Sequence, residues 1–385
     1  MADATIIMAG GSGTRLWPAS IPSAPKQLLR IGPAGPDGSP PSLVQQAVLR
    51  ALAATPEGPI VVVTHRDHVE PIAGHVRELA GAEGRRASGA ATPDLLSRVV
   101  YLPEPMGRNT APAIALGVRW IAQEMPPDAS VLVLTADHVI EPVERFAADA
   151  GLAAQLAGEG YLVTFGIAPT RPETGYGYLQ AGAGLAAGLV VDAFREKPDR
   201  ETAEEYLRRG NFYWNAGMFA FTAGRFTDEL ATHAPEISGG FERSGTIGLE
   251  SRSDGSREAD PDALAPVYEA LPKASIDYAL MEKSERVAVV PASFAWSDVG
   301  SWDEAASLSP SPDRATAPGA ASVVEIESSD NHIDSDLPVA LCGVSGLHVI
   351  VKNGRVLVCR RGESQLVKDA VETAKAAGMD DLVGE

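Results

Sequence analysis

Between Ile6 and Leu29 the chain reads IIMAGGSGTRLWPASIPSAPKQLL, and its residue types are those that hold phosphate. Gly10, Gly11 and Gly13 lack Cβ atoms, so the backbone can turn tightly and bring N–H groups to an anion. Thr14 and Arg15 follow at once, and a second basic anchor, Lys26, stands in Pro25-Lys26-Gln27. A guanidinium and an ammonium add full positive charge where phosphates would lie. The chemistry indicated is nucleotide phosphate binding. Two better-known glycine loops are excluded. A Walker A loop requires Gly-Lys before Ser or Thr, and the chain has no Gly-Lys dipeptide; a dinucleotide fingerprint requires a third glycine where Leu16 stands.

Two acids add to this. Asp137 ends the apolar run Val131-Leu132-Val133-Leu134-Thr135-Ala136, which reads as a strand buried on both faces. Taken alone, Asp137 is equally well a turn cap. Asp298 lies in Phe294-Ala295-Trp296-Ser297-Asp298-Val299-Gly300-Ser301-Trp302, where a packed hydrophobic turn is the plainer reading. The string Glu104-Pro105-Met106-Gly107-Arg108-Asn109-Thr110 joins a strand to a helix whose N-terminus offers unpaired N–H groups. Further on, Gly175-Tyr176-Gly177 allows backbone to approach a sugar. Glu196-Lys197 sets a hydroxyl acceptor beside a phosphate partner, and Asn215 supplies an amide. An isolated Glu-Lys pair is ordinarily just a solvated surface pair.

Together these strings resemble the sugar-1-phosphate nucleotidylyltransferases. The forms Leu16-Trp17-Pro18-Ala19-Ser20, Pro25-Lys26-Gln27 and Gly107-Arg108-Asn109-Thr110-Ala111-Pro112-Ala113 are similar to the mannose-1-phosphate guanylyltransferase branch. The likeness covers roughly residues 5–303 well and the remainder loosely. It implies an α/β, Rossmann-like nucleotidyltransferase fold, a mostly parallel sheet flanked by helices, with a small C-terminal β-rich, β-helix-like appendage. It implies transfer of GMP from GTP to α-D-mannose 1-phosphate, giving GDP-mannose and pyrophosphate by in-line attack without a covalent intermediate. By the same resemblance Asp137 and Asp298 are the ligands of a catalytic Mg²⁺, and with Arg15 and Lys26 they form the catalytic set. Gly10, Gly11, Gly13, Thr14, Arg15, Lys26, Asn109, Thr110 and Asp137 are nucleotide-binding, with Glu104 and Arg108 beside them. Gly175, Tyr176, Gly177, Glu196, Lys197 and Asn215 take the sugar phosphate. One departure is residues 21–24, where the family often carries arginine. Two alternatives stay open: another pair of NTP and hexose 1-phosphate, and a catalytically silent regulatory subunit on the same fold.

The elements that must position these residues alternate between strand-like and helical. Strands are expected at 5–8, 60–64, 99–102, 131–135, 162–167, 190–194 and 218–221, and helices at 43–53, 111–124 and 201–209. Such alternation calls for a largely parallel sheet with its ligand site at the C-terminal strand ends. Residues 1–306 are expected to form the catalytic domain, with a polar surface loop at about 238–262. A linker follows at 307–320, then a β-rich C-terminal domain, 321–385, closing in a helix at 363–377. A net charge of −19 excludes nucleic acid and anionic membrane surfaces as partners. No apolar run approaches the ~20 residues of a membrane span. Acidic Asp3 and the absence of a basic start speak against a signal peptide, and two cysteines fit a reducing cytoplasm. A homodimer stays open.

Overall fold

Runs of valine, isoleucine and leucine form the expected strands, because β-branched side chains pack well on a pleated, doubly covered surface. A computed structural model describes residues 1–11, 13–35, 38–86, 95–243, 245–308 and 322–384. Contacts divide the chain into two compact units. The first comprises Met1–Gly10, Ala47–Ala136 and Ile140–Trp296; the second comprises Gly11–Gln46, Asp137–Val139 and Ser297–Glu385.

In chain order the strands begin with β1 (Ala4–Met8), β2 (Ile60–His65), β3 (Val99–Glu104), β4 (Ser130–Thr135) and the short β5 (Val139–Glu141). Then come β6 (Leu162–Ile167), β7 (Gly177–Leu185), β8 (Gly188–Glu196), β9 (Phe212–Thr222), β10 (Leu249–Ser251), β11 (Arg257–Ala259) and β12 (Val287–Pro291). The first unit is built on an eleven-stranded sheet in the order β10-β11-β3-β2-β1-β4-β9-β6-β12-β8-β7. From β11 to β4 all pairings are parallel, as the alternation of strands and helices requires. Beyond β4 the pairing is mixed: β9 runs antiparallel to both β4 and β6, and β12 is parallel to β6 but antiparallel to β8. The α/β class holds, with a sheet more mixed than the sequence alternation implies. The helix Thr110–Glu124 packs against β1 and β2, burying Ile114, Leu116, Trp120 and Ile121. Burying each such side chain contributes about 1.5–3 kcal/mol relative to leaving it exposed.

Residues 238–262 are not a surface loop. They carry the end of the helix Pro235–Glu242, then β10 and β11, and lead into the helix Pro261–Ala270. The strands are three residues each and mostly polar, too short for periodicity to register. They exist because β11 adds in parallel to β3, with Arg257 opposite Val100. Asp260 then caps the following helix by accepting from the Asp262 N–H at 2.9 Å.

The remaining strands are β13 (Ala295–Ser297), β14 (Val323–Ile326), β15 (His332–Ser335), β16 (Val339–Cys342), β17 (Leu347–Lys352) and β18 (Arg355–Arg360). In the second unit β14 pairs in parallel with β16, and β15 with β17, which β18 closes antiparallel. Ser329 and Ser345, sixteen positions apart, hydrogen-bond side by side, so the chain climbs one sixteen-residue coil. This is the small β-helical appendage. Most of the expected linker, residues 309–320, lies outside the described residues, as does residue 321; Ser307 and Leu308 end the helix Trp302–Leu308. The terminal helix runs Leu366–Ala376, followed by a short one at Asp380–Val383. Among the described residues no helix is long and apolar enough to cross a membrane.

The core of the second unit joins Leu16, Trp17, Ala19 and Ile21 to Val299 and Trp302, and to Ile350, Val367, Val371 and Val383. The Trp302 indole N–H donates to the Trp17 carbonyl at 3.0 Å, and the Trp17 indole N–H donates to the Leu382 carbonyl at 3.0 Å. The segment that follows the glycines therefore has the C-terminal elements as its platform.

Candidate active site

In the second unit the chain leaves Gly13 at φ 59 and enters the 3-10 turn Thr14–Leu16. A Cβ on Gly13 would stand 2.4 Å from the Lys26 Cβ and 2.8 Å from the Ser20 Oγ, so only glycine fits here. Arg15 is exposed and makes no ion pair among the described residues. Lys26, by contrast, is buried at the start of the 3-10 turn Lys26–Leu28. Its Nζ donates to Asp137 Oδ2 at 2.7 Å and to the Asp298 carbonyl oxygen at 2.6 Å. One ammonium group thus ties together the two acids that sequence had singled out from distant segments.

Burial would raise the Asp137 carboxyl; the charge of Lys26, His138 and the Lys26 hydrogen bond outweigh it and hold the group below its ordinary value. Asp137 keeps its other oxygen 3.7 Å from His138 Nε2. Asp298 sits in a strained turn. Val299, fully buried and β-branched, has φ 47, a conformation costing on the order of 1–3 kcal/mol that concentrates at functional sites. Its N–H donates to the Ser297 Oγ at 3.0 Å, which fixes the turn. A Cβ on Gly300 would lie 3.2 Å from Asp298 Oδ2, and one on Gly11 would lie 3.8 Å from Asp137 Oδ2. Glycine beside each carboxylate leaves room there for a further group.

The first unit gathers the expected sugar residues. Gly177 on β7 lies opposite Glu196 on β8. A Cβ on Gly177 would fall 2.6 Å from Glu196 Oε2 and 3.4 Å from the Asn215 Cβ, so the missing side chain lets these two converge. Lys197, at φ 47, gives its N–H to the Tyr176 carbonyl at 3.2 Å, and its Nζ pairs with Glu196 Oε1 at 2.9 Å. Gly175 donates its N–H to Glu173 Oε1 at 3.0 Å. Tyr176 stands edge-on between Trp214 and Trp296, with ring centroids 5.3 and 5.4 Å apart, and Arg171 lies 5.4 Å over the Trp214 ring. The Glu-Lys pair is sheltered on one side only: the Glu196 side chain is 11% exposed, whereas Lys197 reaches solvent.

The helix-start residues lie in the same unit. Asn109, at φ 70, caps its helix by accepting from the Thr110 N–H at 2.8 Å. The Thr110 hydroxyl accepts from the Ile276 N–H at 2.9 Å. Arg108 donates to the main-chain carbonyls of Tyr268 and Glu269 at 2.7 and 3.0 Å, so its guanidinium braces the chain. Glu104, at the end of β3, is buried; a Cβ on Gly10 would stand 3.7 Å from its Oε2. Glu104 Oε1 and the Tyr268 hydroxyl have no hydrogen-bond partner among the described residues. The Tyr268 hydroxyl is nonetheless close enough to favour the Glu104 carboxylate, though burial outweighs it. Burial pushes the Glu104 carboxyl up to about 7.

Sequence reasoning missed Asp277. It begins a π-helical turn, Asp277–Met281, and its Oδ1 accepts from Asn215 Nδ2 at 3.0 Å. Burial, with the nearby Glu196 charge, raises its carboxyl to about 6. The only trace in sequence is a lone acid in Ser275-Ile276-Asp277-Tyr278, which no periodicity marks.

The family model described as nucleotidyl transferase matches residues 4–311. The chain is 38% identical over 373 residues to the xanthan biosynthesis protein XanB of Xanthomonas campestris pv. campestris (strain B100), covering 97% of this chain and 73% of that one. It is 38% identical over 380 residues to a mannose-1-phosphate guanylyltransferase of Klebsiella pneumoniae, with 96% and 73% covered. Among solved structures it is similar to one described as a mannose-1-phosphate geranyltransferase from Thermus thermophilus. There the TM-score is 0.76 at 31% identity, covering 97% of this chain and 99% of that one.

Proposed function

The chain belongs to the nucleotidyl transferase family, and from that premise we propose that it transfers GMP from GTP to α-D-mannose 1-phosphate, releasing pyrophosphate. Enzymes of this family bind a nucleoside triphosphate and a sugar 1-phosphate and generally use a divalent metal ion. The choice of guanine and mannose follows the names of relatives at 36–38% identity. The observation that carries the reading is the convergence of Lys26, Asp137 and Asp298 behind a glycine loop with an exposed arginine.

A sugar phosphate oxygen attacks the α-phosphorus of GTP in line; the bond to the bridging oxygen breaks, and that oxygen leaves with pyrophosphate. The nucleophile is already ionised, so no general base is required. Catalysis is positioning and neutralisation of phosphate charge. Lys26 has three donors, of which two are engaged among the described residues, leaving one for a phosphate oxygen. Arg15, exposed and without an ion-pair partner among those residues, is available to the triphosphate. Glu104 Oε1, a buried acceptor without a partner among them, suits a base N–H. Lys197 takes the sugar's phosphate, and Glu196 and Asn215 its hydroxyls.

Asp137 and Asp298 fit Mg²⁺: they are hard oxygen donors with glycine-lined space beside each carboxylate. No group of three or more His, Cys, Asp or Glu side chains gathers among the described residues, so phosphate and water would complete the shell. The ion would supply further neutralisation of phosphate charge. A cytoplasmic setting, where GTP is abundant, belongs to the same reading.

The test is Asp298→Asn. It leaves the Lys26 contact to the Asp298 carbonyl intact, so folding is retained. Pyrophosphate release from GTP and mannose 1-phosphate should fall by more than about a hundredfold, the range of a lost electrostatic element. An Asp298→Asn chain with full turnover at low Mg²⁺ removes that residue from the catalytic set.

A further inference from the structure

We propose that Asp277 reads the hexose: its carboxylate accepts a hydrogen bond from a ring hydroxyl of the sugar phosphate, and with Glu196 it grips neighbouring hydroxyls. The proposal rests on the reading of the chain as a hexose-1-phosphate nucleotidyltransferase and deepens it, since Asp277 lies outside every motif that pointed to that activity.

Four observations converge on it. First, Asp277 is directly bonded to a residue of the sugar cluster. Asn215 Oδ1 accepts from the Thr164 hydroxyl at 2.8 Å and from the Gly217 N–H at 3.2 Å, which leaves its Nδ2 to donate to Asp277 at 3.0 Å. The amide is locked by its acceptor side, and it presents Asp277 rather than merely touching it. Second, Asp277 and Glu196 are two carboxylates in electrostatic contact, and Lys197 is the cation both of them feel. Like charges held this close favour a bound proton donor between or beside them. Adjacent hydroxyls of a pyranose supply such donors, and a carboxylate accepts them more strongly than a neutral group does.

Third, the backbone is arranged for this side chain. Asp277 opens a π-helical turn, a feature rare in proteins and frequent at functional sites. Fourth, its approach is held from a second direction. The Ile276 N–H donates to the Thr110 hydroxyl at 2.9 Å, and the Ala111 N–H donates to the Ala274 carbonyl at 3.0 Å. The helix-start segment expected to serve the nucleotide therefore also anchors the loop that carries Asp277. Asp277 itself has one described hydrogen bond to a side chain, from Asn215, and an acidic neighbour in Glu196.

The test compares wild type with Asp277→Asn in pyrophosphate release with Mg²⁺, using GTP with mannose 1-phosphate and with its deoxyfluoro analogues. Each analogue replaces one hydroxyl by an acceptor that cannot donate. The expected result is a rise in KM for mannose 1-phosphate of roughly ten- to a hundredfold, with KM for GTP within about twofold of wild type. One analogue should cost the wild type about tenfold or more and cost Asp277→Asn little beyond its existing loss, because the same contact is already gone. Asp277→Ser, smaller and uncharged, carries the same expectation if the asparagine variant folds poorly. An unchanged KM for the sugar phosphate, or an equal rise for GTP, overturns the proposal, as does failure of both variants to fold, which would make Asp277 structural. Should the wild type turn over no hexose 1-phosphate at all, the functional reading falls and this inference with it.

Discussion

Lys26 shows how much chemistry one side chain can organise. It is buried, and its ammonium is matched by Asp137 and by the Asp298 carbonyl. Asp137→Asn should accordingly cost stability as well as activity, whereas Asp298→Asn should cost activity alone. Lys197 differs: its side chain is 60% exposed and paired with Glu196. Lys197→Ala should raise KM for mannose 1-phosphate roughly ten- to a hundredfold and leave GTP binding by calorimetry near normal. Loss of GTP binding with the sugar phosphate spared would reverse that assignment. Glu104 makes a pH prediction. Its carboxyl is raised from 4.5 to about 7 in the fold, so its contribution is fully present below about 4.5 and is lost as pH rises through about 7. The melting temperature should therefore fall between pH 5 and pH 8, by the equivalent of about 3 kcal/mol at most from this group. Glu104→Gln should flatten that slope; an unaltered slope would mean the carboxyl is not the cause. Residue types were readable only in combination: alone, Asp137 reads equally well as a turn cap and Asp298 as part of a packed turn, and it is the order of the strings along the chain that singled them out. Asp277 was unreadable because its role comes from a neighbour 62 positions away.

At the scale of elements, the glycine loop depends on what lies beneath it. Leu16 and Trp17 pack with Val367, Val371 and Val383, and Asn353 Nδ2 donates to the Pro18 carbonyl at 2.9 Å. The appendage and terminal helix are then the packing platform of the segment that follows the glycines. Val371→Asp, which buries a carboxylate in that core, should destabilise by several kcal/mol and abolish turnover although Val371 touches no substrate. Full activity with a lowered melting temperature would show that the loop holds its shape without that helix. The helices Leu43–Ala54, Thr110–Glu124 and Arg200–Arg209 were legible from apolar spacing and end signals, whereas the longer helices Val69–Arg86 and Val143–Gly158 and the strand β7 were not singled out. The strands β10 and β11 were not legible either: three polar residues carry no period, and their existence depends on pairing with β3. The antiparallel additions to the sheet beyond β4 were hidden for a similar reason, since strand composition does not encode direction.

For the whole molecule, a net charge of −19 sets the electrostatic problem: an acidic protein must take up two anionic substrates. The cations proposed to take that charge are Arg15 and Lys26, which belong to one unit, and Lys197, which belongs to the other; Asp137 and Asp298 are the carboxylates proposed for a divalent cation. The family was legible from the motifs in their order, and base and sugar choice is where motif and relatives agree without a contact in view. The most direct measurement is a matrix of GTP, ATP, UTP and dTTP against mannose 1-phosphate, glucose 1-phosphate and galactose 1-phosphate, following pyrophosphate release with Mg²⁺. GTP with mannose 1-phosphate should give the highest kcat/KM. A higher value for UTP or dTTP with glucose 1-phosphate would contradict the guanylyltransferase assignment, and pyrophosphate release from no pair would contradict catalysis itself.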